Sequence, residues 1–469
     1  MFAIVAFTSL MIADSPLVKE ARRNIDAQLM EIFGPSVLPA PSIPMALVEI
    51  DDRTMVEQWG SDGALTPRDH LASLLRAVLR QQPPYLLLDL DLGFGGSDPA
   101  LAAVLSDPAL IGATHVLLAR SQRIDPRPQE RADAVADRAH RPHTLLAKSY
   151  FRFSPFEALV ASGPAHRHLH WVTADLVRDE EDQMFRTLVG WRIGCDQAGK
   201  PMALLAPGYL IRILEQARHV GRDGGDAADM LTQALAKGSR NCLLSAPGGP
   251  PPALFAALRL WGVRKDDPWF RETGQYLARR SVIAFPMENL WENGAAAPSI
   301  QAPPYAAFVR VSAATITTAR ETPAARALKN RLVIIGRTDG DSGDHVRSPI
   351  GTMPGSALLA NAIYTVTTLK RPLRSGALLT MLTLAIALGA LIVDAFIAPE
   401  AHTVLLAHLL FVPASSIVWA VLLFFGHWMD LSIALFAFSI TKLLIDALES
   451  RVRIRSRRKE PPCASTRAP

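Results

Sequence analysis

Six aspartates follow short apolar segments of the sequence. They are, in chain order, Asp51, Asp52, Asp89, Asp91, Asp339 and Asp344. If those segments are neighbouring strands, the carboxylates meet at the carboxyl edge of one sheet, where α/β proteins collect their ligands. Grouped carboxylates can hold Ca²⁺ or Mg²⁺, or accept hydrogen bonds from a cationic ligand. We predict ligand contact at this edge, with helix capping and turn bracing as the structural alternative.

Three histidines alternate along the chain at His166, His168 and His170. On a strand, all three would point to one face and could offer nitrogen ligands to Zn²⁺ or Cu²⁺. An exposed loop that leads into a strand at Trp171 explains the same spacing, and we favour that interpretation. We therefore assign no metal to the protein.

Signatures of familiar catalytic sites are missing from the sequence. The glycine-rich stretch 92–96 lacks the lysine of a phosphate-binding loop, and neither His-Glu-x-x-His nor Gly-x-Ser-x-Gly occurs. The sequence predicts that the protein is not an enzyme and needs no cofactor.

Apolar segments and a helical stripe predict the elements that position the aspartates. Segments 45–50 and 85–90 suit buried strands, and residues 70–81 between them have apolar residues at helical spacing. This order is a parallel crossover unit. With further strands at 115–119 and 332–336, the pattern predicts an α/β fold: a mixed sheet with parallel crossover units and covering helices.

The middle of the chain predicts a different arrangement. Segments 170–173 and 187–193 flank a polar stretch, which favours an antiparallel portion, and a helix is expected at 205–218. Two stretches, 121–143 and 221–252, are rich in Arg, Asp, Gly, Ala or Pro and are predicted to be surface insertions outside the core.

Long apolar segments predict an all-α transmembrane bundle near the C-terminus. Residues 376–398, 401–426 and 428–448 are each long enough to cross a bilayer. The short links between them require antiparallel neighbours. Residues 1–15 are a shorter membrane segment, which we interpret as an incomplete start of the chain.

Basic residues orient this bundle. The formal net charge is +5, and the densest basic block lies in the tail, residues 449–469. Lys and Arg beside a membrane helix are retained in the cytoplasm, so this position favours a topological role and no nucleic-acid partner. We expect a multi-pass protein of the cell inner membrane with a cytoplasmic C-terminus and residues 16–375 in the periplasm or outside the cell.

The exported part contains Cys195 and Cys242, and Cys463 lies in the tail. An oxidising exterior permits a disulfide between the first two, provided that the fold brings their Cα atoms within about 7 Å. Sequence spacing leaves that pairing open.

Several separated motifs resemble the second type of CHASE domain, the cyclase- and histidine-kinase-associated sensory extracellular domain. They are Val-Glu-Ile-Asp-Asp-Arg at 48–53 with Trp-Gly at 59–60 and Pro-Arg at 67–68, Leu-Leu-Asp-Leu-Asp at 87–91, the stretch 179–186, Val-Ile-Ile-Gly at 333–336, Gly-Asp at 343–344, Ser-Pro-Ile-Gly at 348–351, Met-Pro-Gly at 353–355 and Ala-Asn-Ala-Ile at 360–363. In the stretch 179–186, Gln183 stands where the family usually has glycine, which questions the tight turn there.

The resemblance implies an extracytoplasmic sensor that signals through its transmembrane helices. Only about 20 residues follow Leu448, too few to fold as an output domain. We therefore expect a separate signalling partner, an unknown small-molecule or protein cue, and a possible homodimer through the helix predicted at 17–33 and the membrane bundle. The alternatives are a structural or assembly component of an envelope complex with the outer domain as a docking surface, and a remnant of a longer receptor.

Overall fold

The computed structural model describes residues 40–124, 149–237, 281–282, 308–317, 322–348 and 351–368, apart from residues 62, 64, 95, 97, 175, 179–182, 197, 220 and 222. Within these ranges no helix has both the length and the apolar character needed to cross a membrane. The predicted membrane segments 1–15 and 376–448, the helix at 17–33 and the tail 449–469 lie outside the described residues.

Fifteen strands occur in the described ranges. They are β1 (Met45–Ile50), β2 (Tyr85–Asp89), β3 (His115–Arg120), β4 (Gln122–Ile124), β5 (Ser149–Phe151), β6 (Leu169–Thr173), β7 (Leu176–Arg178), β8 (Phe185–Leu188), β9 (Trp191–Cys195), β10 (Pro201–Leu205), β11 (Ser281–Val282), β12 (Phe308–Ser312), β13 (Leu332–Arg337), β14 (His345–Ser348) and β15 (Gly351–Pro354). Their central members are continuous apolar segments, as expected of strands that are buried on both faces.

Ten of these strands form one mixed sheet in the order β12-β1-β13-β2-β3-β6-β10-β9-β5-β4. Neighbours from β12 through β10 are parallel, whereas β9 runs antiparallel to β10, and β4 antiparallel to β5. Strands β7, β8 and β11 form a small second sheet, and β14 pairs with β15 as a hairpin. The predicted mixed α/β sheet with parallel crossovers is confirmed.

Helices cover both faces of the sheet. They are α1 (Arg68–Leu79), α2 (Pro99–Ser106), α3 (Pro108–Ile111), α4 (Glu157–Ser162), α5 (Pro207–His219), α6 (Gly224–Lys237), α7 (Ala313–Thr317), α8 (Pro323–Arg326) and α9 (Gly355–Thr368), with a π-helix at Arg53–Gln58. On one face, α1 buries Leu71, Leu74, Leu75 and Val78 against the sheet in one apolar cluster. Helices α5, α6 and α9 lie on the other face.

The middle of the chain corrects three predictions. The segment predicted as one strand at 187–193 is two strands, β8 and β9, which belong to different sheets. Strand β6 is not in the antiparallel portion, because it pairs in parallel with β3 and β10. The stretch predicted as a surface insertion at 221–252 contains α6, whose Ala227, Leu231 and Leu235 are buried. The Gly- and Ala-rich composition of this segment is typical of a loop, although packing on α5 buries one face of the helix.

Gln183 has a φ of 63°. This is the left-handed region, which glycine enters without a steric penalty and other residues rarely adopt. At the position where glycine is usual, glutamine therefore adopts a backbone conformation typical of glycine.

Candidate functional site

The carboxyl ends of three adjacent strands bring the predicted site together. Strands β1, β13 and β2 are parallel, and Glu49, Gly336 and Asp89 lie side by side in their register. The residues that follow these strands therefore share one edge of the sheet. We call this region the carboxyl edge, meaning the ends of β1, β13 and β2 with the start of α9.

Asp89 ends β2 and is partly buried at the carboxyl edge. Within the described part of the chain, neither a hydrogen-bond donor nor a cation contacts its carboxylate. Burial, and then the nearby charge of Asp344, raises the pKa of Asp89 to about 7. A hydrogen-bond donor or a cation that contacts the Asp89 carboxylate would offset the free-energy cost of burying its charge.

Asp344 lies where α9 begins. Its carboxylate oxygens lie 2.5 Å from the position that a Cβ on Gly355 would take. The Gly355 N–H donates to the Asp344 backbone oxygen at 2.7 Å. Burial raises the pKa of Asp344, and the charge of His345 and a hydrogen bond from the Gly355 backbone act in the opposite direction. Asp344 thus lies at the positive end of a helix, which offsets part of the effect of burial on its pKa.

Gly336 and Ser356 fix where α9 meets the sheet. A Cβ on Gly336 would lie 2.4 Å from the Ser356 Cβ and 3.7 Å from the Asp89 Cβ. Ser356 is fully buried, and its Oγ has no hydrogen-bond partner among the described residues. The first turn of α9 therefore rests directly on β13 beside Asp89. Sequence reasoning missed Ser356, although a glycine that ends a buried strand indicates close backbone approach.

Asp51 and Asp52 accept hydrogen bonds from backbone N–H groups at the carboxyl edge. Asp51 Oδ1 accepts hydrogen bonds from the Thr54 N–H at 2.8 Å and the Thr54 hydroxyl at 2.5 Å, which orders the start of the π-helix. Asp52 Oδ1 accepts a hydrogen bond from the Gly340 N–H at 3.1 Å in an exposed position. Both residues lie at the edge, in the bracing role that was the alternative to ligand contact.

Asp91 and Asp339 already have strong partners. Asp91 accepts hydrogen bonds from the Gly93 N–H at 2.7 Å and from the Ser121 hydroxyl. Asp339 forms a buried ion pair with Arg337, whose Nε lies 2.7 Å from its Oδ1. The carboxylate oxygens of Asp91 and Asp339 are therefore occupied by contacts that stabilise the fold. Of the six predicted residues, Asp89 and Asp344 remain the two best able to contact a ligand.

The histidines at 166–170 do not alternate on one strand. His166–His168 form a single 3₁₀ turn, and His170 lies inside β6 with 6% of its surface exposed. The predicted exposed loop therefore describes His166 but not His170. A further residue, His115, joins this cluster from the start of β3, and no sequence spacing pointed to it. In the described ranges no group of three His, Cys, Asp or Glu residues is arranged to hold a metal ion.

Cys195 ends β9, is buried and is disulfide-bonded. Cys242 lies outside the described residues. The pairing of these two residues stays a prediction.

The fold defines an α/β domain built on a mostly parallel mixed sheet, with an acidic carboxyl edge under the start of a long helix. The chain belongs to the CHASE2 domain family, whose match covers residues 2–393. CHASE2 is a family of extracellular sensory domains. No curated protein and no solved structure matches the chain.

Proposed function

We propose that this protein is a membrane-anchored extracytoplasmic sensor that binds its cue at the carboxyl edge and reports it through α9. The observation that carries the proposal is the path of α9. This helix begins against Asp344 and Gly336 at the carboxyl edge and ends beside Ser42, where the described chain enters β1. A displacement of the first turn of α9 would therefore also move its last turn.

Helix α9 is suited to transmit a displacement because it is continuous and well packed. Its 14 residues span about 21 Å, roughly the thickness of the domain along the strands. Eleven consecutive residues, Ser356–Val366, are buried. Packed elements of this kind move as units between discrete arrangements, since their interiors deform little.

The first and last segments of the described domain are hydrogen-bonded to each other at the amino edge of the sheet. The Ser42 N–H donates to Thr368 Oγ1 at 3.1 Å, and the Ser42 hydroxyl donates to the Thr367 carbonyl at 3.0 Å. A domain tethered at both ends to one membrane needs this proximity. It supports the proposal that the predicted segments 1–15 and 376–448 anchor the domain to one bilayer.

The proposed signal then passes from Thr368 into the predicted transmembrane bundle and on to a separate output protein. A cytoplasmic kinase, cyclase or similar enzyme would serve as that partner. A homodimer would let a shift of α9 change the separation of two bundles. We assign the protein itself no reaction.

The chemistry of the carboxyl edge restricts the chemical class of ligand that can be the cue. Asp89 offers a partly buried carboxyl group with no partner among the described residues, beside a second carboxylate. A cue that brings a hydrogen-bond donor or a positive charge gains most there, because it offsets the burial and the nearby charge of Asp344 that raise the pKa of Asp89.

Thermal unfolding of the full chain in lipid nanodiscs tests the proposal. A panel of small organic cations and polyols should contain a compound that raises the Tm of the wild type but not of Asp89→Asn. Asp107→Asn is the matched control, because Asp107 is an exposed helix cap in which asparagine caps equally well.

A spectroscopic label at a cysteine in place of Thr368 provides the second readout, with Cys463 replaced by serine. The same compound should change the signal of this label. A compound that stabilises the protein without moving the label would contradict transmission through α9. A panel with no stabilising compound would favour the docking-surface alternative.

A further inference from the structure

Three histidine side chains converge beneath α5, away from the carboxyl edge. His115 Nδ1 lies 3.1 Å from His170 Nε2, so the two rings share a hydrogen bond. The ring of His168 lies 5.0 Å from that of His115, centroid to centroid. The Nδ1 atom of His168 is buried and has no partner among the described residues. We call these three side chains the histidine cluster.

The charged groups around the histidine cluster are occupied with one another. The ring of Tyr85 stacks on His115, and its hydroxyl donates to Glu215 Oε1 at 2.5 Å. Arg218 pairs with Oε2 of the same glutamate at 2.7 Å. Asp223 caps α6 through the Gly225 N–H. In the described residues no carboxylate hydrogen-bonds to any ring of the cluster.

The titratable and charged groups that face the cluster come from every element around it. They are Tyr85 on β2, Glu215 and Arg218 on α5, Asp223, Asp226 and Asp229 at α6, and His166 and Arg167 on the 3₁₀ turn. Asp223 is the acidic group that acts on His115 directly, and Arg218 opposes it.

The hydrogen bond between the two rings has a definite proton balance. A neutral pair shares one N–H, in which one ring donates and the other accepts. One added proton keeps that bond, because imidazolium can donate to a neutral imidazole. A second proton removes the acceptor and places two like charges about 3 Å apart in a buried site. The doubly protonated pair must therefore separate.

Separation of the pair reaches α9 through α5. Gly208 of α5 lies so close to α9 that a Cβ there would be 3.1 Å from the Ile363 Cα. Arg212 of the same helix donates from Nη1 to the Val366 carbonyl at 3.2 Å. Glu215 of α5 is linked to the cluster through Tyr85, whose ring stacks on His115, and the contacts of Gly208 and Arg212 hold the last turns of α9.

We propose that the His115–His170 pair is a proton-binding site, a second input whose full protonation displaces α5 and loosens the last turn of α9. The ligand is the proton, since the described residues hold no metal-binding group there. The inference rests on the proposed function only in treating α9 as the output helix.

The energetics agree with this geometry. Burial, and then the charges of neighbouring histidines, lowers the pKa of His170 to about 3. Burial likewise lowers the pKa of His115 to about 4. The folded state thus resists the protons that an opened site would take up below pH 6.5, and acid favours opening.

Two measurements on the full chain in nanodiscs test the inference. Both use an Asp89→Asn background, so that titration of Asp89 at the carboxyl edge does not contribute. Imidazole NMR shifts should show that His115 and His170 stay neutral down to a pH at least one unit below the measured titration midpoint of exposed His219. Deuterium uptake of residues 363–368, corrected for intrinsic exchange, should rise below pH 6.5 by up to about a hundredfold per pH unit, because opening takes up two protons.

Variants assign the acid response to the pair. His170→Asn should weaken the pH dependence of uptake, and His115→Gln provides the same test at a less buried position if the first variant fails to fold. His219→Gln is the control, because His219 is an exposed histidine at the end of α5.

The inference is overturned if either ring titrates together with His219, or if both cluster variants keep the full acid response. Because the test uses no cue, an unresponsive pair leaves the proposed cue site untouched. A failed cue screen likewise leaves the proton result standing.

Discussion

The Cα of Gly336 on β13 faces Ser356 on α9 so closely that a Cβ at position 336 would lie 2.4 Å from the serine Cβ. This contact joins the carboxyl edge to the start of the helix that we propose as the output. Both residues are fixed by dense packing on either side, so the contact cannot relax without moving the helix.

Gly336→Ala should therefore lower the free energy of unfolding by about 1–3 kcal/mol, the usual cost of overpacking a core. Gly340→Ala is the control, since its Cβ would have nothing within 4 Å. Urea unfolding of both variants checks the prediction, and equal stability of the two would contradict the packing argument.

Ser356→Ala should leave stability unchanged or raise it by up to about 1 kcal/mol, because the buried hydroxyl lacks a partner among the described residues. Thr365→Val provides the contrast. It deletes a buried hydroxyl that donates to the Asn361 carbonyl at 2.8 Å and should cost about 1 kcal/mol. A large loss in Ser356→Ala would mean that this hydroxyl has a role in the folded protein that its contacts do not reveal.

Ionisation of Asp89 should lower the free energy of unfolding as the pH rises from about 4 to 7. Its folded pKa, about 7, lies above the value of 3.8 expected in the unfolded chain. The folded state therefore holds the extra proton in this window, and stability falls by up to about 1.4 kcal/mol per pH unit. Asp89→Asn should flatten this dependence in unfolding measured at pH 5 and pH 8. A slope that survives the substitution would assign it to other groups.

Asp339→Ala should lower the free energy of unfolding by about 3–5 kcal/mol, because it leaves Arg337 charged and buried. The exposed pair Arg53–Glu57, with side chains 67% and 71% exposed, serves as the comparison. Glu57→Ala should cost about 1 kcal/mol or less. Thermal unfolding at low and high salt separates the two cases, since salt weakens only the exposed pair.

The main parallel strands could be predicted within one or two residues because each is a short continuous apolar segment bounded by turn residues. Segments 45–50 and 332–336 correspond to β1 and β13, which are buried along their whole length. The helix predicted at 70–81 is α1, Arg68–Leu79. Helix α6 was missed because the segment 221–252 is rich in Gly, Ala and Pro, a composition typical of loops.

The site could be predicted only in part. The positions of the six aspartates after strands follow from sequence, and the family match over residues 2–393 agrees with the resemblance that the motifs carry. The partners from distant segments do not follow from sequence, because Ser121 and Gly340 reach Asp91 and Asp52 through turns whose geometry no spacing encodes. The role of His115 could not be predicted either, because it contacts His170 across two adjacent strands.

The sequence by itself determined that parallel strands end in aspartates and that the chain belongs among extracellular sensory domains. Only the tertiary structure decided which carboxylates lack a partner among the described residues, and that α9 joins the carboxyl edge to Ser42. Strand and helix periodicity is local and can be read along the chain. Ionisation and contact depend on which groups from distant positions share a low-dielectric site, and only the folded chain brings those groups together.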